Sequence, residues 1–416
     1  MDPDRRVSAD KKTPIFSTNM DGNDEKKRRT TEAREKVMNN FADDLWIEIF
    51  LRLPFKSLLQ SKSVSKSWLS IISSHRFAKS YLEKPAVHDD EITIAHNAFS
   101  NDYEEEDGSF SLFHLDSASI LKNIKFPYSQ GEYPCHPLTS ELIGSDCGIV
   151  CVSVRLLGWH VAKKNFDIYL WNPATRHSKL LPSYTIPDKY WTAGNLGFGF
   201  DHIDLDFKLV RVVSTSTYAE VYSSNMNGWR KIDKPIAYPY SNFHAFHGFL
   251  FSIEHTFNSM MAFNLNKETF ICGIKLPDGH FDDDNSLIDI TDFKDNVAVI
   301  NSIVNQGKIH LWTLDDEACV CSGVEASWTK VISVNVGVVS EHFSFLYSNS
   351  HFLLFDKDGE RFLFNWNTEV TTEVTTQPYV DEFFKYTKSL FWLEGFRRIR
   401  WAASSPRLQD SSDSDE

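Results

Sequence analysis

Three places in this 416-residue chain bring together residues able to do chemistry. His244 and His247 stand three apart, beside Phe243 and Phe246, and could share a metal ion. A protein site needs three or four ligands at workable spacing, and no third accompanies them, so a strand lining a core or channel is the expectation. Asp282, Asp283, Asp284, Asn285 and Ser286 begin like a calcium loop, but the EF-hand spacing requires glycine at position 287 and glutamate at position 293, where the chain has Leu287 and Phe293. That run reads as a solvated acidic turn. Gly197 and Gly199 supply two glycines of a nucleotide-binding fingerprint, with His202 at the third position and strand-like sequence around them. No G-x-S-x-G elbow occurs. The six cysteines, Cys135, Cys147, Cys151, Cys272, Cys319 and Cys321, form neither a disulfide framework nor paired C-x-x-C spacing. The expectation is a chain with no catalytic group, no metal and no cofactor, whose thiols are reduced in cytosol or nucleus.

What remains to explain is binding, and the elements for it are uneven along the chain. Between Phe41 and Leu82 the apolar residues recur at helical spacing: Leu45, Trp46, Ile49, Phe50 and Leu53, a stop at Pro54, then Leu58, Leu59, Val64, Trp68, Leu69, Ile71 and Ile72, with Phe77 and Leu82 at the end. Asp43 and Asp44 suit a helix start, and the Ser/Lys run from Ser61 to Ser67 leaves room for a break. Segments of about 40 residues seldom close a core without disulfides, metal or another surface. With no cysteine in it, this one is expected to need a partner.

The formal charge of −14 argues against nucleic acid, which requires a basic footprint, and favours a neutral or basic protein partner. No apolar run is long enough to span a membrane and the N-terminus is polar, so neither a span nor a secretory signal is expected. Residues 1–38 are polar and charged and read as a disordered tail, in which Lys26 to Arg29 resemble an import signal or plain solvated charge. Residues 404–416 read as an acidic, serine-rich tail with Ser412 as a candidate phosphorylation position. Glu104 to Asp107 read as an exposed acidic loop.

From about Asp89 to Trp401 the texture is short β-type runs broken by Gly, Pro, Asn and Asp. One unit recurs, an apolar strand ending in an aromatic, a polar turn and another strand: "FSLFHLDSAS", "DIYLWNPAT", "AEVYSSNMNGW", "MMAFNLNKET", "KIHLWTLDDE" and "RFLFNWNTE". The anchoring aromatics, Phe113, Trp171, Tyr222, Phe263, Trp312 and Phe364, lie 41 to 58 residues apart. Earlier runs, "SDCGIVCVSV", "GFGFDHIDLDFKLVRVVS", "HAFHGFLFSI", "DNVAVINS" and "SNSHFLLFD", are expected to be inner strands. Lys179–Leu181, Trp229–Ile232, Phe270–Leu276 and Trp328–Val331 are expected to be outer ones. About four strands per repeat predict a mainly β chain with a six-bladed, alternatively seven-bladed, β-propeller-like domain, as in kelch or WD40 repeat proteins. "FFKYTKSLFWL", from Phe383 to Leu393, is left over and is expected to complete the first or last blade. The competing architecture is an irregular β-sandwich with accidental spacing.

The helical string resembles the F-box, the adaptor-docking motif of cullin-type ubiquitin ligases, through Leu45, Ile49, Leu53-Pro54, Lys56 to Leu59, Val64, Lys66, Trp68, Ile72 and Phe77. It departs at Phe41-Ala42, where the family has Leu-Pro, and at Ser65, where cysteine is common. The β region resembles the F-box-associated domain of the large plant family that includes S-locus F-box proteins, through "DCGIVCVS", "LWNPATRHSKLLP", "GFGFDHIDLDFKLVRVV", "EVYSSNMNGWRKI", "AFNLNKETF" and "ASWTKVISV". The "DDEACVCSGVEASW" stretch is longer than usual. The resemblance implies an F-box helical domain at 39–84 and a propeller at 89–401. It further implies a non-catalytic substrate receptor of an SCF-type ligase that bridges a Skp-type adaptor, and through it a cullin, to a protein marked for degradation. Leu45, Ile49, Leu53, Pro54, Leu58, Val64 and Trp68 are the implied adaptor contacts, with Trp68 alternatively a brace between helices. The alternatives are a binding protein that sequesters a partner outside any ligase, a pollen recognition protein within the ligase reading, and a propeller enzyme or lectin with acids or aromatics around its channel.

Overall fold

The structure is a computed structural model that describes residues 43–83, 92–97, 109–114, 119–125, 138–156, 166–184, 195–277, 286–303, 306–316, 319–320, 325–335, 347–348, 351–355, 361–374 and 380–398. Both tails, Phe41-Ala42, Glu104 to Asp107, Asp282 to Asn285, Cys135 and Cys321 lie outside these residues. The chain divides into two compact units, one ending at Phe77 and one beginning at Ala78.

The first unit is helical: α1 (43–51), α2 (Phe55–Ser61), α3 (Lys66–Ile72) and the start of α4 (His75–Glu83). Local chemistry sets each boundary. Pro54, with φ fixed at −58°, closes the first segment and stands as the N-cap of α2, its carbonyl accepting from the Leu58 N–H at 3.1 Å. Ser65 is extended, and its Oγ accepts from the Trp68 N–H at 3.1 Å, which starts α3. Ser74 does the same for Phe77 at 3.1 Å. The break anticipated between Ser61 and Trp68 therefore ends at a serine cap.

Among its described residues the second unit has 25 strands in six antiparallel sheets. Sheet one is β24 (Val380–Tyr386), β1 (Ile92–Asn97), β2 (Ser109–His114) and β3 (Ser119–Lys125). Sheet two is β4 (Leu138–Asp146), β5 (Ile149–Leu156), β6 (Asp167–Asn172) and β7 (His177–Leu180), with β25 (Arg397–Arg398) added outside β7. Sheet three is β8 (Asn195–Asp201), β9 (Asp206–Val212), β10 (Tyr218–Ser223) and β11 (Gly228–Asp233). Sheet four is β12 (His244–Phe246), β13 (Phe249–Ile253), β14 (Ser259–Asn264) and β15 (Thr269–Lys275). Sheet five is β16 (Ser286–Phe293), β17 (Asn296–Ile303), β18 (Lys308–Leu314) and β19 (Trp328–Asn335). Sheet six is β20 (Tyr347–Ser348), β21 (His351–Phe355), β22 (Arg361–Asn365) and β23 (Val370–Val374). The first strands of successive sheets stand side by side, β24 with β4, β4 with β8, β8 with β12, β12 with β16 and β16 with β20. This is the six-bladed, propeller-like arrangement expected from the spacing of the aromatics, and each of those aromatics sits in the third strand of its sheet. The leftover C-terminal run supplies β24, which pairs with β1 from Ile92↔Tyr386 to Asn97↔Val380.

Turn chemistry repeats with the sheets. In four sheets the turn from third to fourth strand has the same plan. A residue at its head accepts a backbone N–H with its side-chain oxygen: Asn172 from Thr175, Ser223 from Met226, Asn264 from Lys267 and Asn365 from Thr368. Four places after the head the backbone goes left-handed, at Arg176, Asn227, Glu268 and Glu369. Three first-to-second turns, Cys147-Gly148, His247-Gly248 and Lys294-Asp295, hold both central residues at positive φ, the geometry that matches strand twist in a two-residue hairpin. Gly197 answers a different demand. A Cβ there would sit 2.7 Å from Phe243 Cβ, because β8 runs against the chain entering β12 closely enough for the Phe243 N–H to reach the Leu196 carbonyl at 2.9 Å.

Three expected inner runs fall mainly on second strands, "SDCGIVCVSV" on β5, "DNVAVINS" on β17 and "SNSHFLLFD" on β21, and the innermost strand of sheet five is β16, "SLIDITDF". Its acids disguised it. Asp292 Oδ2 meets Lys385 Nζ of β24 at 2.6 Å, and its Oδ1 lies 3.5 Å from His244 Nε2 of β12. Burial pushes this carboxyl up, but the His244 contact and the Lys385 charge push it further down, so it lies far below the usual carboxylate range.

Charges are also buried between strands. Arg211 and Glu220, both without exposure, pair at 3.2 Å, and the guanidinium lies 3.9 Å over the Tyr184 ring. Lys208 Nζ binds Asp201 at 2.9 Å, Glu268 at 3.0 Å and the Leu265 carbonyl at 2.7 Å, tying sheet three to the turn of sheet four. After β24 the chain crosses sheet two: Asn172 donates to the Ser389 and Phe391 carbonyls at 3.1 and 3.2 Å, and the Phe391 ring packs on Phe200 and Phe207.

Two outcomes follow. Glu220→Ala removes the carboxylate paired with a buried guanidinium and should lower the unfolding free energy in urea titrations by about 3–5 kcal/mol, with Arg211→Met/Glu220→Leu costing less than the single change. Asp292 contributes stability above the unfolded carboxylate pKa that is lost as pH falls toward its depressed folded value. The thermal-midpoint gap between wild type and Asp292→Asn should therefore be full at pH 6 and shrink below about pH 4.

Candidate docking site

In the helical unit Ile47, Phe50, Leu58, Ile71, Ile72 and Phe77 are buried. An aromatic cluster holds the helices together: Trp46 stacks on Phe50 at 5.6 Å and packs on Trp68 at 4.9 Å, while Phe50 meets Trp68 edge-on at 5.1 Å and Phe77 at 6.4 Å. Such ring pairs contribute roughly 0.5–1.5 kcal/mol each beyond the area they bury. Asp44 pairs with Arg76 at 2.5 Å, joining α1 to the start of α4 at the surface.

This core leaves apolar residues over. Leu45 (52% exposed) and Ile49 (49%) stand one turn apart on the outer side of α1, and Val64 (64%) lies open in the break before α3. Leu53 is half-buried and Pro54 exposed. Five of the seven residues singled out for docking therefore present surface. Leu58 does not: it is 0% exposed, so its position in α2 turns it into the interior. Trp68 is half-buried and belongs to the aromatic brace. Leu69 on α3 is exposed and joins the candidates; periodicity had placed it in the helical pattern without telling inside from outside.

In the propeller-like unit the residues considered for chemistry are used structurally. His244 faces Asp292, whereas His247 occupies a hairpin turn and stacks on Phe246 at 3.9 Å. Among the described residues no three His, Cys, Asp or Glu side chains gather as a metal site. Gly197 and Gly199 lie within β8, where Gly199 leaves room for Leu265. Burial pushes the Cys147 and Cys151 thiols well up, the opposite of what a nucleophile requires.

Comparison with known proteins matches this division. Residues 38–80 match the F-box domain, and residues 102–373 match the F-box associated beta propeller domain. F-box protein CPR1 of Arabidopsis thaliana is 23% identical over 365 residues, 78% of this chain and 79% of that protein. F-box protein At1g30790 of the same plant is 29% identical over 189 residues, 44% of this chain and 43% of that protein. Among solved structures, the β-propeller domain of Myceliophteria thermophila Cps50 (Swd1) aligns with a TM-score of 0.37 and 8% identity over 64% of this chain and 79% of that chain. With helices whose apolar residues outnumber their core, six antiparallel sheets of four or five strands following them in the chain, and both domain matches in the same places, the chain belongs to the plant F-box proteins that carry an F-box-associated β-propeller domain.

Proposed function

We propose that this protein is the substrate-recognition subunit of an SCF-type ubiquitin ligase, in which its helical unit docks on a Skp-type adaptor, and through it a cullin, while the propeller holds a protein for ubiquitination and degradation. The observation that carries the reading is the apolar surface left on Leu45, Ile49, Val64 and Leu69 by a unit that has spent Phe50, Leu58, Ile72 and Phe77 on its own core. Burying the remaining exposed half of four such side chains would yield on the order of 3–6 kcal/mol, a contribution that offsets part of the entropy of association. Leu53 and Pro54 extend the contact, and Trp68 and Leu58 hold its shape.

The chemistry in this reading is done elsewhere. The chain contributes proximity, raising the local concentration of a substrate lysine near a charged conjugating enzyme, which a rigid propeller does better than a loose one. Cytosol and nucleus are the compartments this role implies, and neither nucleic acid nor membrane takes part.

Leu45→Asp/Ile49→Asp should weaken adaptor binding in titration calorimetry at least 100-fold while the circular dichroism of the full chain stays unchanged. Leu58→Asp should also abolish binding, but with loss of helix, because it opens the core. Undiminished binding by the folded double variant would remove the docking assignment, and a wild-type chain that binds no adaptor would favour the sequestering reading over the ligase one.

A further inference from the structure

Among the described residues the fourth strand of a propeller sheet pairs with its own sheet on one side only, and an edge left unpaired is an open row of backbone donors and acceptors that invites pairing with another chain. Five of the six are protected. β3 carries Lys122 and Lys125 and shifts register opposite Leu112/Phe113. β7 is covered by β25. β11 carries Arg230 and Lys231. β15 carries Lys275, goes left-handed at Gly273 and slips register opposite Met260/Ala262. β19 carries Lys330 and a register shift opposite Leu311/Trp312.

β23 is different. Its sequence, Val370-Thr371-Thr372-Glu373-Val374, has no lysine, arginine or proline. Its pairing with β22 is continuous from Arg361↔Val374 to Asn365↔Val370, with no bulge. Val370 is 55% exposed, and Thr371, Thr372 and Glu373 are exposed beside it. Such a run of β-branched residues is a ready template for strand addition, in which main-chain hydrogen bonds supply affinity and alternate side chains supply selectivity.

We infer that β23 is a docking edge for an extended, lysine- or arginine-bearing segment of a partner protein, added to sheet six as a fifth strand. Charge chooses the occupant. From Trp366 to Val374 the only ionic residues are Glu369 and Glu373, both exposed, and cross-strand neighbours of opposite charge stabilise a pair while like charges oppose it. A second copy would present the same two acids, on a chain already at −14. A basic segment with an apolar residue beside Val370 satisfies both the edge and the charge. The site is independent of adaptor docking, since it needs nothing from the helical unit.

The test uses the purified full chain and a blocked peptide of alternating lysine and valine, with a peptide of alternating glutamate and valine as its control. Hydrogen exchange at 370–374 should slow on addition of the lysine peptide. Glu373→Lys should weaken that peptide at least ten-fold in fluorescence anisotropy, and Thr372→Pro, which removes a ladder donor, should abolish binding. Glu373→Lys changes only an exposed side chain, so it remains readable if the proline variant misfolds. No slowing of exchange, or equal affinity for the glutamate peptide, would overturn the proposal. So would protection that grows with protein concentration in the absence of peptide, because the occupant would then be a second copy.

Discussion

A single four-stranded propeller sheet cannot bury its own faces. Each depends on the sheet before and the sheet after, and the first depends on a strand delivered from the far end of the chain. Here that strand is β24, hydrogen-bonded to β1 along its length and tied by Lys385 to Asp292 of sheet five. The following residues fasten to sheet two through Asn172 and Phe391, and β25 then covers its edge. The turns and the interdigitated Phe and Val layers give local shape, but this C-terminal run makes the series of sheets interdependent.

The buried ionic groups belong to the same logic. Arg211–Glu220 is enclosed and fixes the pairing of β9 with β10, and Lys208 joins the Asp201 turn of sheet three to the Glu268 turn of sheet four. Apolar packing tolerates slippage between similar sheets, whereas a buried charge in the wrong register has no partner and costs several kcal/mol. Repeated units that could stack in several ways thereby acquire one stacking.

How much was legible in the sequence depends on what each signal measures. Alternation and aromatics mark strands flanked by neighbouring sheets, so the third strands, Phe113 through Phe364, were found one by one, and the Asn-headed turns announced the strand after each. β16 was missed because an innermost strand faces other innermost strands; Asp292 breaks the apolar rule there in order to reach His244 and Lys385. In the helices, periodicity gave the elements but not their orientation. Leu45 and Leu58 look alike in sequence, and only the packing of Phe50, Trp68 and Phe77 decides that one stays out and the other goes in. Long-range ties such as Asn172 to Ser389 have no local signature.

The position of β24 carries a temporal meaning as well. Synthesis delivers the helical unit well before β24, so a nascent chain displays Leu45, Ile49, Val64 and Leu69 while sheet one still lacks a strand. A message cut short anywhere before Val380 would encode the helical unit with its exposed apolar residues intact and leave β1 without its β24 neighbour. On the proposed ligase reading, such a fragment would occupy an adaptor without delivering cargo, and a late nonsense allele would interfere rather than stay silent.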